Sequence, residues 1–184
     1  MEVKLTYYGH STFMLSNGEI SIVFDPFFNG NTWEKAKPED IKCQYIFISH
    51  GHGDHYGDAD LIGKANDALV ISTAEVAHKA EEAGLKAHAM HLGGKHDFEF
   101  GSIRLTPAFH GAGIPGGHAA GVIVTFYDKT LYFAGDTAFF SDMQYLNRFG
   151  QLDYALLPIG DNFTMGPEDA LLAASLIKAD VTIP

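Results

Sequence analysis

The sequence predicts an α/β (α+β) fold, a four-layer α-β-β-α sandwich with two sheets face to face and helices outside. Three observations predict it. Strand-like segments separated by turns open the chain and return past its middle, each set is followed by segments that include amphipathic helices, and Tyr45–Ser49 is an apolar run short enough for a strand buried between layers. Two similar halves follow, each a sheet covered by helices. With 184 residues, 46% hydrophobic and 19% charged, the chain fits one domain spanning 1–184.

Taken in order, strands are expected at Val3–Tyr8, Thr12–Ser16 and Ile20–Phe24, broken by Gly9-His10 and by the hairpin signal Asn17-Gly18. Asp25-Pro26 ends the third strand. Phe27–Asp40 is mixed in character, and Pro38 argues against one long helix there. After Tyr45–Ser49 come a helix at Asp58–Asn66, a strand at Leu69–Ser72, a helix at Ala74–Ala83 closed by Gly84, and a strand at Ala87–His91. Phe98–Phe100, Ile103–Phe109, Gly121–Tyr127 and Thr130–Ala134 read as strands, with Asp128-Lys129 as a turn. Phe139–Phe149 looks helical, Tyr154–Ile159 reads as a strand, and Pro167 at a first helical position opens a helix to about Lys178. Val181–Pro184 begins a strand.

Composition excludes several classes. Twenty-three acidic against twelve basic residues give a net charge of −11, which repels a phosphate backbone and argues against nucleic acid as partner. Cys43 is the only cysteine, so no intramolecular disulfide forms, and a packed thiol is a better reading of it than a nucleophile. No charged leader with an apolar core opens the chain, and no apolar run reaches the ~18 residues of a membrane span. A soluble, cytoplasmic protein acting on a small molecule, without membrane partners and with homo-oligomerisation left open, is the expectation.

The chemistry is concentrated in His50-Gly51-His52-Gly53-Asp54-His55, three imidazoles and a carboxylate in six residues at the end of the apolar strand. Imidazole nitrogen and carboxylate oxygen are donors that a borderline divalent cation accepts, and the two glycines let the backbone fold tightly enough to converge them. The motif alone leaves a cation under-coordinated. Two further candidates occupy strand ends: His110 after Ile103–Phe109, and Asp136 in Gly135-Asp136-Thr137 after Thr130–Ala134.

The H-x-H-x-D-H run, a lone histidine after a later strand and an aspartate in a G-D-T turn together resemble the metallo-β-lactamase superfamily of binuclear hydrolases over essentially the whole chain. Tyr8–Phe13, Asp25-Pro26-Phe27 and the fourteen residues Leu157–Ala170 resemble its metal-dependent hydrolases related to ascorbate-6-phosphate lactonase. The resemblance implies two divalent ions, zinc first, with manganese, iron or nickel acceptable to the same donors. It puts His50, His52 and His110 on one metal and Asp54 and His55 on the other, with Asp136 bridging. It also implies that Asp54 orients the attacking hydroxide. The family's final metal histidine follows a late strand, at about the place where this chain ends, so the resemblance implies a C-terminally incomplete domain whose second metal site lacks one ligand.

The other polar residues divide. His10, in a turn that the resemblance puts beside the cleft, is a catalytic candidate for substrate contact or proton delivery, against a structural hydrogen bond. Asp25 reads equally as a partner orienting a metal-bound histidine or as a turn carboxylate before Pro26. His91 and His118 are pocket or supporting candidates; His78, His88 and His96 read as surface or packing residues. Asp161–Thr164 suits substrate contact or helix capping by Thr164 or a neighbour, and Gly111–Gly117 a backbone anion contact, a lid or a connector. Phe27, Phe28 and Trp33 read as core or cleft wall. The function expected is metal-dependent hydrolysis of a small ester, lactone or phosphoester, and the alternative is a metal-binding sensor or scaffold with an incomplete site. A di-iron redox enzyme would need an electron-carrying domain for which 184 residues leave no room.

Overall fold

The computed structural model describes residues 2–33 and 36–184; Met1, and Glu34 and Lys35 within the mixed stretch Phe27–Asp40, lie outside the described residues. The chain divides into two compact units, residues 1–91 with 112–118, and residues 92–111 with 119–184.

The first unit is a six-stranded sheet in sequence order, β1 (Lys4–Tyr7), β2 (Phe13–Ser16), β3 (Ser21–Phe24), β4 (Tyr45–Phe47), β5 (Leu69–Thr73) and β6 (Lys86–Met90). The first two pairings are antiparallel, the second closed by the Asn17-Gly18 turn, and the next three are parallel. A parallel step needs a crossover, supplied after β4 by helices α1 (Gly53–Tyr56) and α2 (Ala59–Asn66), and after β5 by α3 (Ala74–Glu82). Val23, Ile46, Ile48 and Val70 from the sheet pack with Ala59 and Ile62 of α2 and Val76 and Ala80 of α3. Cys43 joins this core at 2% exposure, and burial pushes its thiol up to about 12, which makes it an inert packing group.

The second unit is also a six-stranded sheet in sequence order: β7 (Lys95–Phe98), β8 (Gly101–Pro107), β9 (Ala120–Phe126), β10 (Lys129–Phe133), β11 (Tyr154–Leu156) and β12 (Val181–Ile183). Antiparallel pairings run through β10 and parallel ones follow, so the hairpins-then-crossovers plan recurs as expected. The helix α4 (Pro167–Ile177) lays Ala170, Ala173 and Ile177 on Ile123, Tyr132 and Ala155 of the sheet.

Three expectations need correction. Phe139–Phe149, read as helical, is helical only from Ser141 to Phe149 and winds as a 3-10 helix. Its core residues Met143 and Leu146 stand three apart, and that spacing shares one face when there are three residues per turn. The strand expected at Phe98–Phe100 is instead Lys95–Phe98. Glu99-Phe100 form the turn, and a side chain at Gly101 would meet Thr125 O at 2.2 Å. Thr164 does not cap α4: Gly166 is its N-cap residue, and the Thr164 hydroxyl donates to Met165 O at 3.2 Å.

Candidate metal centre

In the first unit the motif begins where β4 runs out. Ser49 and His50 are fully packed, and the backbone then turns through α1, whose four residues include Asp54 and His55. Gly57 ends that turn at a positive φ of 47°, where a Cβ would lie 2.3 Å from Pro26 O, so only glycine lets the motif fold back on the segment after β3. Asp58, next in line, ties that segment down. Its Oδ2 accepts from the backbone N–H of Phe28 and of Asn29, each at 2.8 Å, and its Oδ1 accepts from the Asn29 side chain at 2.7 Å.

Asp25 is the hub of this arrangement. It is fully buried, with a positive φ of 42° that few residues other than Gly, Asn and Asp adopt. Its Oδ1 accepts from Ser49 N–H at 2.7 Å, and its Oδ2 accepts from the Ser49 hydroxyl at 2.6 Å and from His55 Nδ1 at 2.7 Å. With its hydrogen given to Asp25, the Ser49 hydroxyl accepts from His50 Nδ1 at 2.9 Å. Both imidazoles therefore carry their proton on Nδ1, which leaves Nε2 as the nitrogen whose lone pair can face a cation. His50 Nε2 and His52 Nδ1 lie 2.9 Å apart, close enough to flank one ion.

Donor atoms of His10, Asp54 and His55 form one group within 4.8 Å of one another, and those of Asp25, His50 and His55 form another. Both oxygens of Asp25 are already engaged, so Asp25 is better suited to orient the histidines than to serve as a ligand itself. His10 Nε2 is 3.2 Å from Asp54 Oδ2, and His55 Nε2 is 4.0 Å from the same oxygen. His10 is itself held at a positive φ of 52°; its carbonyl accepts from the Tyr7 hydroxyl at 3.1 Å. Non-glycine residues at positive φ concentrate at working sites, and two of the described chain's six, His10 and Asp25, belong to this cradle.

In the second unit His110 follows β8 and Asp136 follows β10. His110 Nε2 and Asp136 Oδ2 are 3.5 Å apart, both side chains mostly shielded. The buried Thr137 holds the two strand ends together. Its Oγ1 accepts from Phe109 N–H at 2.9 Å and donates to Ala138 O at 2.8 Å, while Ala138 N–H donates to Phe109 O at 3.1 Å.

Residues 21–184 match the β-lactamase superfamily domain. A UPF0173 metal-dependent hydrolase of Natranaerobius thermophilus is 48% identical over 182 residues, 99% of this chain and 82% of the relative. The chain belongs to the metallo-β-lactamase superfamily. Within it the chain stands among the UPF0173 metal-dependent hydrolases: the Bacillus subtilis member YtkL is 47% identical over 191 residues, covering 99% of this chain and 84% of that protein. Igni18, a metallo hydrolase of Ignicoccus hospitalis, superposes on this superfamily member with a TM-score of 0.92 at 34% identity, over 99% of this chain and 81% of that one. The fold class expected from the sequence is therefore the one observed.

Of the candidates, His50, His52, Asp54, His55 and His10 gather in the first unit, and His110 and Asp136 pair in the second. Asp25 bonds His55 Nδ1, the contact that its orienting reading requires. Ser49 and Thr137, which hold the candidate ligands' protons and backbone, were not singled out in the sequence. The signal for Ser49 was one polar residue closing an apolar strand directly before the first ligand. Of the three aromatics read as core or cleft wall, Phe28 is buried, while Trp33 is 80% exposed and so is not core. His78 and His96 are exposed and His88 is half-buried, in keeping with surface and packing roles. Among the described residues, no helix is long and apolar enough to cross a membrane.

Proposed function

We propose that the protein hydrolyses a small ester, lactone or phosphoester with two divalent metal ions, zinc by preference. His50, His52, Asp54 and His55 hold them, joined by His110 and Asp136 as the family's ligand order implies. The observation that supports this reading is the buried Asp25–Ser49 network, which presents the Nε2 lone pairs of His50 and His55 in advance of any cation. Such preorganisation suits a resident ion better than a surface histidine cluster does. When bound, the metal acidifies a water to a pKa of about 7 and polarises the scissile carbonyl or phosphoryl group.

The chain's own groups do the rest. Asp54, half-exposed beside His10, accepts a hydrogen bond from the attacking water and directs its lone pair at the substrate. His10 Nε2, 3.2 Å from Asp54 Oδ2, is placed to carry a proton between that carboxylate and the leaving group. A substrate small enough for the cytoplasm's soluble pool, with no nucleic acid or membrane involved, matches the acidic charge of −11.

The test is turnover of a panel of generic esters, lactones and phosphodiesters by protein stripped with chelator and reloaded with zinc, manganese, iron or nickel. Metal-dependent turnover that His50→Ala abolishes is the expected result. Turnover that survives in metal-free buffer sinks the mechanism, and tight metal binding without turnover on any substrate favours the sensor or scaffold alternative.

A further inference from the structure

A second cluster of the first unit lies outside this cradle. His91, just past β6, and His118, the last residue of the glycine-rich loop, have ring centroids 5.3 Å apart, and both residues are exposed. Two imidazoles that share one ion at about 2.0–2.1 Å per nitrogen and a tetrahedral angle put their centroids roughly 5 Å apart. A carboxylate lies on the helix start that this loop touches. Thr73 pairs with Met90 in the β5–β6 register, so His91 follows directly beside the start of α3, which carries Glu75 in its first turn. A Cβ on Gly117 would lie 3.5 Å from Glu75 Cβ, and Thr73 Oγ1 donates to His118 O at 3.4 Å, so loop and helix start are in contact. Glu75 Oε2 is buried and has no hydrogen-bond partner among the described residues. Two imidazoles alone would suit an anion or a cation; a shielded carboxylate oxygen without a donor beneath the same loop favours the cation.

We propose that His91 and His118 bind a late divalent transition-metal ion, Zn²⁺ or Cu²⁺, at a peripheral site separate from the catalytic cradle. Two imidazole nitrogens bind directly, and water fills the remaining positions, one of them facing Glu75. With two protein donors the site fills after the cradle, at higher metal concentration. Its consequence runs along the loop. Gly51 N–H donates to Ala112 O at 2.7 Å, and a Cβ on Gly113 would lie 2.3 Å from His52 N, so the loop that ends in His118 begins packed on the metal motif itself. An ion at its far end stiffens a segment whose near end supports His52, and so reports metal excess to the cradle.

The test uses the 184-residue protein already saturated at the cradle, titrated with Zn²⁺ alone in equilibrium dialysis, alongside His91→Ala and His118→Ala. Both substituted positions are exposed, so the fold is kept. Wild type takes up one further equivalent, each variant binds it at least about tenfold more weakly, and hydrogen exchange across residues 111–118 slows on uptake in wild type only. No further equivalent in wild type, equal uptake in the variants, or slowing that persists in them overturns the proposal.

Discussion

The two units bring candidate ligands to strand ends by different means. In the first, side chains are fixed: Asp25 sets the proton position of His55 directly and that of His50 through Ser49. In the second, Thr137 fixes the backbone on either side, and His110 and Asp136 ride on the strand ends it clamps. The first device determines which nitrogen faces the cation, whereas the second determines only where the residue stands. The motif half should therefore lose chemistry when its support is cut, and the other half should lose mainly stability.

Asp25→Ala breaks this contrast most severely. It strands Ser49 N–H and His55 Nδ1 in a dry site, so stability should fall by more than about 3 kcal/mol and metal affinity by about 10- to 100-fold. Denaturant melts and metal content per chain measure both, and native metal affinity in this variant would erase the distinction between the units. Thr137→Val comes next. Phe109 N–H loses its acceptor at a cost of about 1–3 kcal/mol, while the first unit's metal occupancy should stay as in wild type. Metal loss equal to that of D25A would show that the backbone clamp governs coordination too.

His10→Gly sharpens the comparison further. Glycine accepts the 52° φ without strain, so the loss of the ring contacts with Phe27 and His55 should be offset by roughly 1 kcal/mol, leaving stability near wild type while turnover drops. A large fall in melting temperature would assign His10 to the scaffold instead. A last prediction concerns alkaline pH. Burial raises the Cys43 thiol from 9.0 to about 12, so above pH 9 the unfolded chain loses this proton before the folded one does. Stability should therefore decline with rising pH between 9 and 12, and Cys43→Ala should flatten that decline in melts taken across the window.

Much of this was legible in residues whose local chemistry points one way. Asn17-Gly18 marked the hairpin, Pro167 the start of α4, and the H-x-H-x-D-H spacing the metal motif. Turns made by bulky residues were not legible: Glu99-Phe100 close a hairpin only because Phe100 packs between Phe98 and Phe126, which is tertiary information. Nor was the 3-10 winding of Ser141–Phe149, where spacings of three and of three-to-four look alike over nine residues. At the site the candidate ligands stood out by type and spacing, but the residues that hold them did not. Ser49 and Thr137 are common residues whose importance comes from partners 24 and 28 positions away in the chain.

The Ser49 hydroxyl has a single hydrogen, and that fact reaches into heredity. Having given it to Asp25, the oxygen can only receive from His50, so positions 25 and 49 hold one piece of information between them. Alanine at 49 silences the message to His50, and asparagine at 25 can reverse it. A lineage that alters one without the other should hold an ion at His50 more weakly, which makes this pair, far apart in sequence, a place to look for joint drift among relatives.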